Sequence, residues 1–540
     1  MAICETMADS LRKSAQCSSQ SVALYYFDTE WTYADLMDRV ERVAGSLQKI
    51  GVRVGDRVAV MLQNMPASVV MHFAIWALGG IVVPVNVMLQ PAEISQQLRD
   101  CGAKIFVALN SVADRIMQIV DLDESLNVVL VHDRQDFTGV APGWLPEDDM
   151  ALLREKTVWW YHDFLDEPRL QASEWYAGRG LDVALLTYTS GTTGSPKGAM
   201  NTHGHMLHNV EVYREMVPFS DTTVNIAFAP LFHITGVVAG LALAVVLAGP
   251  LVLMYRFDPV VAVSAIQRRR VTFTVGAITT YLGILGLPDL DQYDLSSFVA
   301  AYSGGAPVAV ATVQAFEERT GVYIHNVYGL TESTNGLVMV PWRDRAPIDQ
   351  ESGALAVSKA GNGIDAKLFP LADDGSTDVP IGHLGELALR GASIIDTYWR
   401  RPEANQQSFR DGWFLTGDVA RITADGWIFI VDRKKDVIVS AGNKIWPRDV
   451  EDALYRHPGV VEAVVVGLPD AYRGEAVTAF VVRADAYRDM DAEQLTLFLR
   501  QHIAAYKVPR AVHWVDNIPK TATGKFLRRA FRPPQGDYLD

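Results

Sequence analysis

Residues 189–198 bring together side chains that bind anions. The segment reads TSGTTGSPKG and holds hydroxyl side chains, three glycines and one lysine. Glycines let backbone N–H groups approach an anion closely, the hydroxyls add donors, and Lys197 adds a positive charge. An apolar, strand-like stretch at 183–188 precedes it. We interpret the segment as a phosphate-binding loop; the alternative is a mobile surface loop rich in serine, threonine and glycine.

This loop differs from the Walker A type. The Walker A pattern has glycine before its lysine and serine or threonine after it. Here Lys197 lies between Pro196 and Gly198. The sequence therefore predicts a phosphate-binding loop of another class.

The composition is that of an ordinary globular protein. The chain has 540 residues, of which 49% are hydrophobic and 21% charged, enough for two or more domains. The formal net charge of -15 argues against a nucleic-acid-binding surface, because phosphate contacts need basic patches. The three cysteines have no paired spacing, which argues against a disulfide framework or a zinc knuckle. We expect a cytoplasmic protein.

One uncharged segment, 236–255, is about as long as a bilayer span. Gly249 and Pro250 interrupt it. We expect a buried helix at 237–247 and a short strand at 251–254 instead. The N-terminal residues show no secretory signal. The sequence thus predicts no transmembrane span, and it leaves a peripheral membrane contact and a homodimer open.

Helical and strand-like patterns alternate in the first part of the chain. Apolar residues recur at helical spacing at 33–47 and 67–78, and strand-like runs follow at 58–62 and 81–85. This alternation predicts an α/β fold.

A charge cluster, DRKKD at 432–436, marks the clearest candidate domain boundary. A strand-like run at 427–431 precedes it, and the residues after it have a core pattern of their own. We predict a large N-terminal domain at 1–431, a hinge at 432–436 and a small C-terminal domain at 437–540. The alternative is a solvated turn.

Further segments share the richness of the loop in glycine, hydroxyl and charged residues. They read SGGAP at 303–307, YGLTE at 328–332, TGD at 416–418, DR at 432–433 and PKTATGK at 519–525. In this order, together with the loop, they resemble the adenylate-forming superfamily of acyl-CoA synthetases, adenylation domains and luciferases. The resemblance extends from Trp31 to Lys525.

The resemblance implies a large multi-subdomain N-terminal domain, with β-sheets flanked by helices, and a small mobile α+β C-terminal domain. It also implies a two-step ligase reaction. A carboxylate attacks the α-phosphate of magnesium-bound ATP to give acyl-AMP and pyrophosphate, and a thiol, that of coenzyme A, then displaces AMP. Positioning and charge stabilisation dominate the catalysis of phosphoryl transfer, and the residue types present suit that task.

The resemblance assigns residues to the triphosphate and to the adenine. The β- and γ-phosphates would be held by Thr189, Ser190, Gly191, Thr192, Thr193, Gly194 and Lys197. Thr331 would donate to the α-phosphate, and Glu332 would bind Mg²⁺, which prefers carboxylate oxygen. The adenine would lie against Tyr328 and the backbone of Gly304, Gly305 and Ala306.

Other positions are assigned by the same resemblance. Asp418 and Arg433 would bind the ribose, and Lys525 would bridge the substrate carboxylate and the α-phosphate. In the family the small domain rotates about a hinge, here Asp432. The rotation would bring the loop at 440–443, with Gly442, to the site for the second step.

Two positions depart from the family pattern. Ala441 stands where relatives have glycine, so its methyl group narrows the path of the thiol or is tolerated there. Thr397 also stands where many relatives have glycine. The sequence alone offers no functional account of Thr397.

The segment PLFH at 230–233 resembles the one that borders the acyl pocket in carboxylate–CoA ligases. His233 would lie at the mouth of the acyl pocket, or would simply pack beside the phosphate loop. Gly236 and the small aliphatic residues after it offer an apolar lining for an acyl chain. Because no aspartate lies at 223–253 to pair with an ammonium group, an amino acid is disfavoured.

We predict a medium- or long-chain fatty acid as the substrate. Aromatic and alicyclic acids stay open, because several aromatic residues could shape a flatter pocket: Phe228, Phe273, Tyr281 and Tyr302. A ligase that loads a carrier protein would share every ATP-binding residue. A non-catalytic nucleotide-binding protein is disfavoured, because Lys525 and Glu332 are both present.

Overall fold

The computed structural model of the protein describes most of the chain. The described residues are 4–120, 126–138, 143–146, 158–189, 196–359, 364–371, 379–441, 443–470, 472–521 and 526–531.

Helices and strands alternate along the described chain. The helices are α1 Met7–Cys17, α2 Tyr33–Lys49, α3 Pro66–Ala77, α4 Pro91–Cys101, α5 Ala113–Val120, α6 Tyr161–Phe164, α7 His203–Met216, a π-helix Gly236–Ala242, α8 Leu243–Val246, α9 Pro259–Arg269, α10 Ile278–Leu285, α11 Val310–Thr320, α12 Pro402–Ser408, α13 Pro447–Leu454 and α14 Ala492–Arg500.

The strands are β1 Val22–Tyr26, β2 Thr29–Thr32, β3 Arg57–Met61, β4 Ile81–Pro84, β5 Ile105–Leu109, β6 Asn127–Val131, β7 Val158–Trp160, β8 Val183–Thr189, β9 Lys197–Thr202, β10 Asn225–Ile226, β11 Leu251–Leu253, β12 Phe273–Gly276, β13 Ala300–Gly304, β14 Ile324–Leu330, β15 Asn335–Met339, β16 Ser358–Lys359, β17 Ile364–Phe369, β18 Leu384–Gly391, β19 Phe409–Arg410, β20 Trp413–Ile422, β21 Trp427–Arg433, β22 Ile438–Ser440, β23 Asn443–Ile445, β24 Val460–Asp470, β25 Gly474–Arg483 and β26 Ala511–Trp514.

Helix α2 shows how local sequence specifies an element of this fold. Its first turn has a capping box, in which Thr32 Oγ1 accepts from the Asp35 N–H and Asp35 accepts from the Thr32 N–H. Lys49 in the last turn complements the helix dipole. The apolar stripe predicted from the sequence is buried along this helix.

Two large sheets, both mostly parallel, form the N-terminal part of the molecule. One has eight strands in the order β15-β14-β13-β12-β10-β11-β1-β2, and the other has seven in the order β7-β6-β5-β3-β4-β8-β9. Side chains from both sheets and from the helices between them share one hydrophobic core. The α/β fold class expected from the sequence is confirmed.

The carboxyl ends of three parallel strands lie side by side in the eight-stranded sheet. Gly276 of β12 pairs with Ser303 of β13, and Gly304 of β13 pairs with Val327 of β14. In α/β proteins the crevice outside the carboxyl ends of such strands is the usual ligand site. This edge is therefore where a functional site is expected.

Two smaller sheets follow in the chain. The first has the order β16-β21-β20-β18-β17, with β19 beside β20, and is antiparallel. The second has the order β23-β22-β25-β24, with β26 parallel to β25, and shares a core with α13 and α14. The helices and strands of the last hundred or so residues thus have a core of their own.

Strand β21 continues two residues further than the sequence predicted. It includes Asp432 and Arg433, the first two residues of the segment 432–436 that the sequence predicted as a hinge. Asp432 is buried, and its carboxylate accepts from its neighbour's N–H at 2.7 Å and from the N–H of Arg448 in α13 at 3.0 Å. These donors allow a charged residue inside the strand, although burial raises the pKa of Asp432 to about 6.

The uncharged segment 236–255 is part of the core. The π-helix, α8 and β11 follow one another there, and the side chains of the π-helix and β11 are buried. Within the described ranges, no helix is both long and apolar enough to cross a membrane.

Burial shifts the pKa of four histidines in the described N-terminal part. It lowers the pKa of His72, His203 and His325 to about 4. It also lowers the pKa of His205. His72 of α3 has Nδ1 2.7 Å from the Ser68 carbonyl oxygen, one turn earlier in the same helix. These side chains are therefore neutral in the folded protein at pH 7.

We expect stability to fall as these histidines become protonated in the unfolded chain. Above pH 6.5, the ordinary pKa, the contribution of His72 is fully present. As the pH falls from 6.5 towards 4, the unfolded chain binds a proton that the folded one refuses, at about 1.4 kcal/mol per pH unit. The urea midpoint of unfolding should therefore fall less between pH 7 and pH 5 in His72→Gln than in the wild type. Equal decreases would contradict the assignment of a neutral His72.

Candidate active site

The predicted phosphate-binding loop joins β8 to β9. These strands form an antiparallel pair in which Thr189 lies opposite Lys197. Five of the loop's predicted ligands, Ser190, Gly191, Thr192, Thr193 and Gly194, lie outside the described residues. The Lys197 ammonium group lies 5.3 Å from the centre of the Tyr398 ring, a cation–π arrangement.

Tyr398 also contacts the predicted magnesium ligand. Its hydroxyl donates to Glu332 Oε1 at 2.7 Å. Burial, reinforced by the Glu332 carboxylate, raises the pKa of Tyr398, so the hydroxyl keeps its proton and remains a donor. Lys197 and Glu332, which the sequence predicted separately, therefore meet on one aromatic side chain.

Two buried asparagines hold the turn that carries Thr331 and Glu332. Asn201 Nδ2 donates to the Thr331 carbonyl at 2.9 Å and to Thr334 Oγ1 at 3.0 Å. Asn209 Nδ2 donates to the carbonyls of Ser333 and Thr334 at 3.3 and 2.9 Å. Because Thr334 has a φ of 54°, in the left-handed region, these bonds secure a strained turn. Neither asparagine belongs to a motif that predicts such a role.

The departure at Thr397 has a structural account. Thr397 Oγ1 accepts from the Asn405 amide, and Asn405 Oδ1 accepts from the Tyr398 N–H at 2.8 Å. Asn405 thus bridges two neighbouring residues and fixes the backbone that carries Tyr398. A glycine at 397 would lack the first of these contacts.

Asp418 joins the two residues predicted to contact the adenine and the ribose. Its Oδ2 accepts from the Tyr328 hydroxyl at 2.6 Å, and its Oδ1 lies 3.3 Å from Arg433 Nε. Asp418 is 4% exposed, and it lies opposite Arg433 in the β20–β21 pair. Burial and the adjacent carboxylate raise the pKa of Tyr328. Because a carboxylate has about four lone-pair sites, Asp418 keeps acceptor capacity for hydroxyl groups.

Gly304 is the last residue of β13, and Gly305 and Ala306 follow it. Tyr328 lies on the neighbouring strand β14. A Cβ at Gly304 would lie 2.4 Å from the Val327 carbonyl oxygen, so a side chain does not fit. Gly305 has a φ of 79°, which glycine adopts without strain. Glycine is therefore required at 304 and suits the backbone at 305, two positions of the predicted adenine site.

The predicted acyl side begins at Pro230 and His233. The His233 N–H donates to the Pro230 carbonyl at 3.0 Å, and a Cβ on Gly236 would lie 2.1 Å from that carbonyl oxygen. Only glycine fits at 236. Asn64, which the sequence analysis also missed, donates to the carbonyls of Ala227 and Ala229 and accepts from the Leu231 N–H.

The aromatic residues considered as pocket walls are all buried in the sheet and its helices: Phe228, Phe273, Tyr281 and Tyr302. The Tyr281 hydroxyl donates to the Tyr302 carbonyl at 2.7 Å, and Phe273 packs on the Tyr302 ring. Phe228 lies just beyond β10, with its Cβ 3.1 Å from where a Cβ on Gly276 would be. Phe228 therefore lies beside the carboxyl end of β12, at the candidate crevice.

Two predicted residues of the small domain, Lys525 and Gly442, lie outside the described residues. Ala441, beside Gly442, has a φ of 50° and donates its N–H to the Arg473 carbonyl at 2.9 Å. A left-handed conformation costs a residue with a Cβ about 1–2 kcal/mol. The backbone thus keeps the conformation that suits glycine, although alanine occupies it.

Comparisons with known proteins agree with this arrangement. Residues 11–399 match the family described as AMP-binding enzyme, and residues 449–525 match the AMP-binding enzyme C-terminal domain. The chain is 32% identical to a long-chain-fatty-acid–CoA ligase of Bacillus subtilis (strain 168), covering 97% of this chain and 94% of that one. It is 35% identical to a feruloyl-CoA synthase of an Amycolatopsis species, covering 96% of this chain and 97% of that one.

A solved structure is similar over the whole fold. The o-succinylbenzoate CoA synthetase of Bacillus subtilis, in complex with ATP and a magnesium ion, superposes with a TM-score of 0.78 at 26% identity, covering 96% of this chain and 98% of that one. The resemblance to the adenylate-forming superfamily is thereby confirmed. The chain belongs to the AMP-binding enzymes, in the acyl-CoA synthetase branch of the adenylate-forming superfamily.

Proposed function

We propose that this protein joins a medium- or long-chain fatty acid to coenzyme A at the expense of ATP. In the first step an acid oxygen bonds to the α-phosphorus and pyrophosphate leaves. In the second step the thiol sulphur bonds to the acyl carbon, the thiol gives up its proton, and AMP leaves. The observation that carries the proposal is the contact of Tyr398 with both Lys197 and Glu332.

The charges at this contact suit a magnesium-bound triphosphate. Lys197 supplies a cation for phosphate oxygens, and Glu332 supplies the hard oxygen donor that Mg²⁺ accepts together with phosphates and water. Bound there, the metal would neutralise phosphate charge. Because Tyr398 already holds both side chains, little reorganisation is needed when the nucleotide binds.

The pair of Asp418 and Tyr328 suits the nucleoside. Asp418 is nearly buried and is fixed from two sides, by the Tyr328 hydroxyl and by Arg433. A fixed carboxylate with spare lone pairs accepts from the two ribose hydroxyls. The adenine would then lie against Tyr328 and the backbone of 304–306, on the neighbouring strand end.

The apolar residues after His233 support an acyl-chain substrate. Gly236 to Ala242 are all buried and carry no polar side chain. The relative from Bacillus subtilis, named for long-chain fatty acids, supports the same class. The relative named for feruloyl-CoA is 35% identical, so an aromatic acid is the second candidate. Cytoplasmic localisation, a homodimer and peripheral membrane contact stay predictions of the sequence.

Product analysis tests the proposed function. The purified protein is incubated with Mg-ATP and carboxylic acids, short to long chain and aromatic, with and without coenzyme A, and the products are identified by mass spectrometry. We expect AMP and acyl-CoA in a window of fatty-acid chain lengths. Acyl-AMP that never passes to coenzyme A would point to a carrier protein as the acceptor, and feruloyl-type products alone would favour the aromatic alternative.

Tyr398→Phe should weaken the use of magnesium. The variant keeps the ring beneath Lys197 and removes the hydroxyl that donates to Glu332. We expect the Mg²⁺ concentration for half-maximal rate to rise about tenfold or more, the usual effect of losing a residue that orients a metal ligand. Tyr455→Phe is the matched control, since its hydroxyl donates to the Ala463 carbonyl in the small domain. The same Mg²⁺ dependence in both variants would remove Tyr398 from this role.

Lys525→Ala should slow the first step selectively. Losing a cation that contacts the transition state costs about two powers of ten in rate or more. Thioester formation from supplied acyl-AMP should suffer much less. Lys49→Ala, which removes an exposed lysine paired with Glu167, serves as the control. If Lys525→Ala damages both half-reactions equally, the assignment of Lys525 to adenylation is wrong.

A further inference from the structure

A π-helix lies in the chain directly after the predicted acyl-binding segment. It spans Gly236–Ala242, and all of its residues are buried. Such wide helical turns are rare and occur frequently at functional sites. The sequence predicts only a buried helix here, because hydrophobic periodicity does not distinguish a π-helix from an α-helix.

Asn225, at the start of β10, holds the π-helix from outside. Its Nδ2 donates to the Ala239 carbonyl at 2.7 Å and to the Gly240 carbonyl at 3.2 Å. Asn225 is 3% exposed, so these bonds form away from water. A side chain that inserts into the helical hydrogen-bond ladder is a known cause of irregular helices. Asn225 therefore accounts for the widened turn.

The first residue of the π-helix is also held in place. Gly236 lies so close to the Pro230 carbonyl that no side chain fits between them. At Gly236 the helix adjoins the segment that carries His233. Asn225 lies on β10, which is the sheet neighbour of β12. The helix thus has one contact at the predicted mouth of the acyl pocket and another at Asn225, three residues or more further along.

We infer that Asn225 sets the position of the π-helix and thereby determines which acids the enzyme accepts. Asn225 is a positioning residue, because its amide contacts the helix backbone and not the substrate. The inference rests on the proposed function, since it needs the π-helix to be a wall of the acyl pocket. The π-helix carries glycine, alanine and short aliphatic side chains. The space left for an acyl chain therefore depends on where the helix backbone lies.

The size of the effect follows from the sensitivity of apolar pockets. One methylene more or less in such a pocket changes the specificity by about 10–200-fold. If the π-helix moves by about the width of a methylene group, the relative kcat/KM values of two acids should change by a comparable factor. ATP binding should not change.

The test compares acids in Asn225→Leu and in Asn225→Ala. Leucine keeps about the same volume and lacks both donors, and alanine removes the side chain. For two acids of different length that the wild type uses, we expect the ratio of their kcat/KM values to change by about tenfold or more. The KM for ATP should stay within about twofold of the wild-type value, since the nucleotide residues are untouched. A merely structural role would instead lower the use of all acids alike.

Gln97→Met is the matched control. Gln97 is also a buried amide, and its Nε2 donates to the Pro84 carbonyl at 3.1 Å in the seven-stranded sheet. Its replacement should leave the acid ratio unchanged. An unchanged ratio in both Asn225 variants, or an equal change in Gln97→Met, would overturn the inference.

A crystal structure of the wild type with bound acyl-AMP tests the inference without any variant, should these variants not fold. The acyl chain is expected within about 4.5 Å of side chains of the π-helix, the range of apolar contact. An acyl chain that does not touch the π-helix would overturn the inference. A wild type that forms neither acyl-AMP nor acyl-CoA from any acid would instead reject the proposed function.

Discussion

The contact of Tyr398 with Lys197 and Glu332 joins three segments that are far apart in the chain. Lys197 begins β9, Glu332 lies in the turn between β14 and β15, and Tyr398 follows β18. Tyr398 thereby holds a cation and a carboxylate: the Lys197 ammonium lies 5.3 Å from the ring centre, and Glu332 Oε1 lies 2.7 Å from the hydroxyl. Because β9, β14 and β18 belong to three different sheets, those sheets must pack as they do for the charges to meet. The nucleotide site in turn depends on this packing.

The residues with predicted chemistry were found because each lies in a short segment with a distinctive order. Tyr328, Asp418 and Arg433 come from three such segments, and the structure brings them within hydrogen-bonding or ion-pairing distance. Helix α2 and the early strands were predictable for a related reason, because capping and periodicity act over a few residues. The parts that local order determines were thus accessible from the sequence.

The supporting asparagines were not accessible in that way. Asn64 and the Ala227 carbonyl that it contacts are 163 residues apart, and Asn201 and Thr331 are 130 apart. Nothing in the residues around Asn64 or Asn201 identifies so distant a partner. The sequence predicted the end of β21 two residues too early for a similar reason. The buried carboxylate of Asp432 accepts from the backbone N–H of Arg448 in the small domain, a partner 16 residues away. Ala441 keeps a glycine-like φ of 50°, which no local pattern predicts.

The central claim is that this site transfers a carboxylate onto the α-phosphate of ATP before any thiol takes part. The direct measurement is the exchange of labelled pyrophosphate into ATP, without coenzyme A, in the wild type and in Glu332→Gln. We expect exchange that depends on an added fatty acid, reduced by about a hundredfold or more in the variant, since a carboxylate ligand to the metal is lost. No acid-dependent exchange in the wild type, or equal exchange in the variant, would contradict the account.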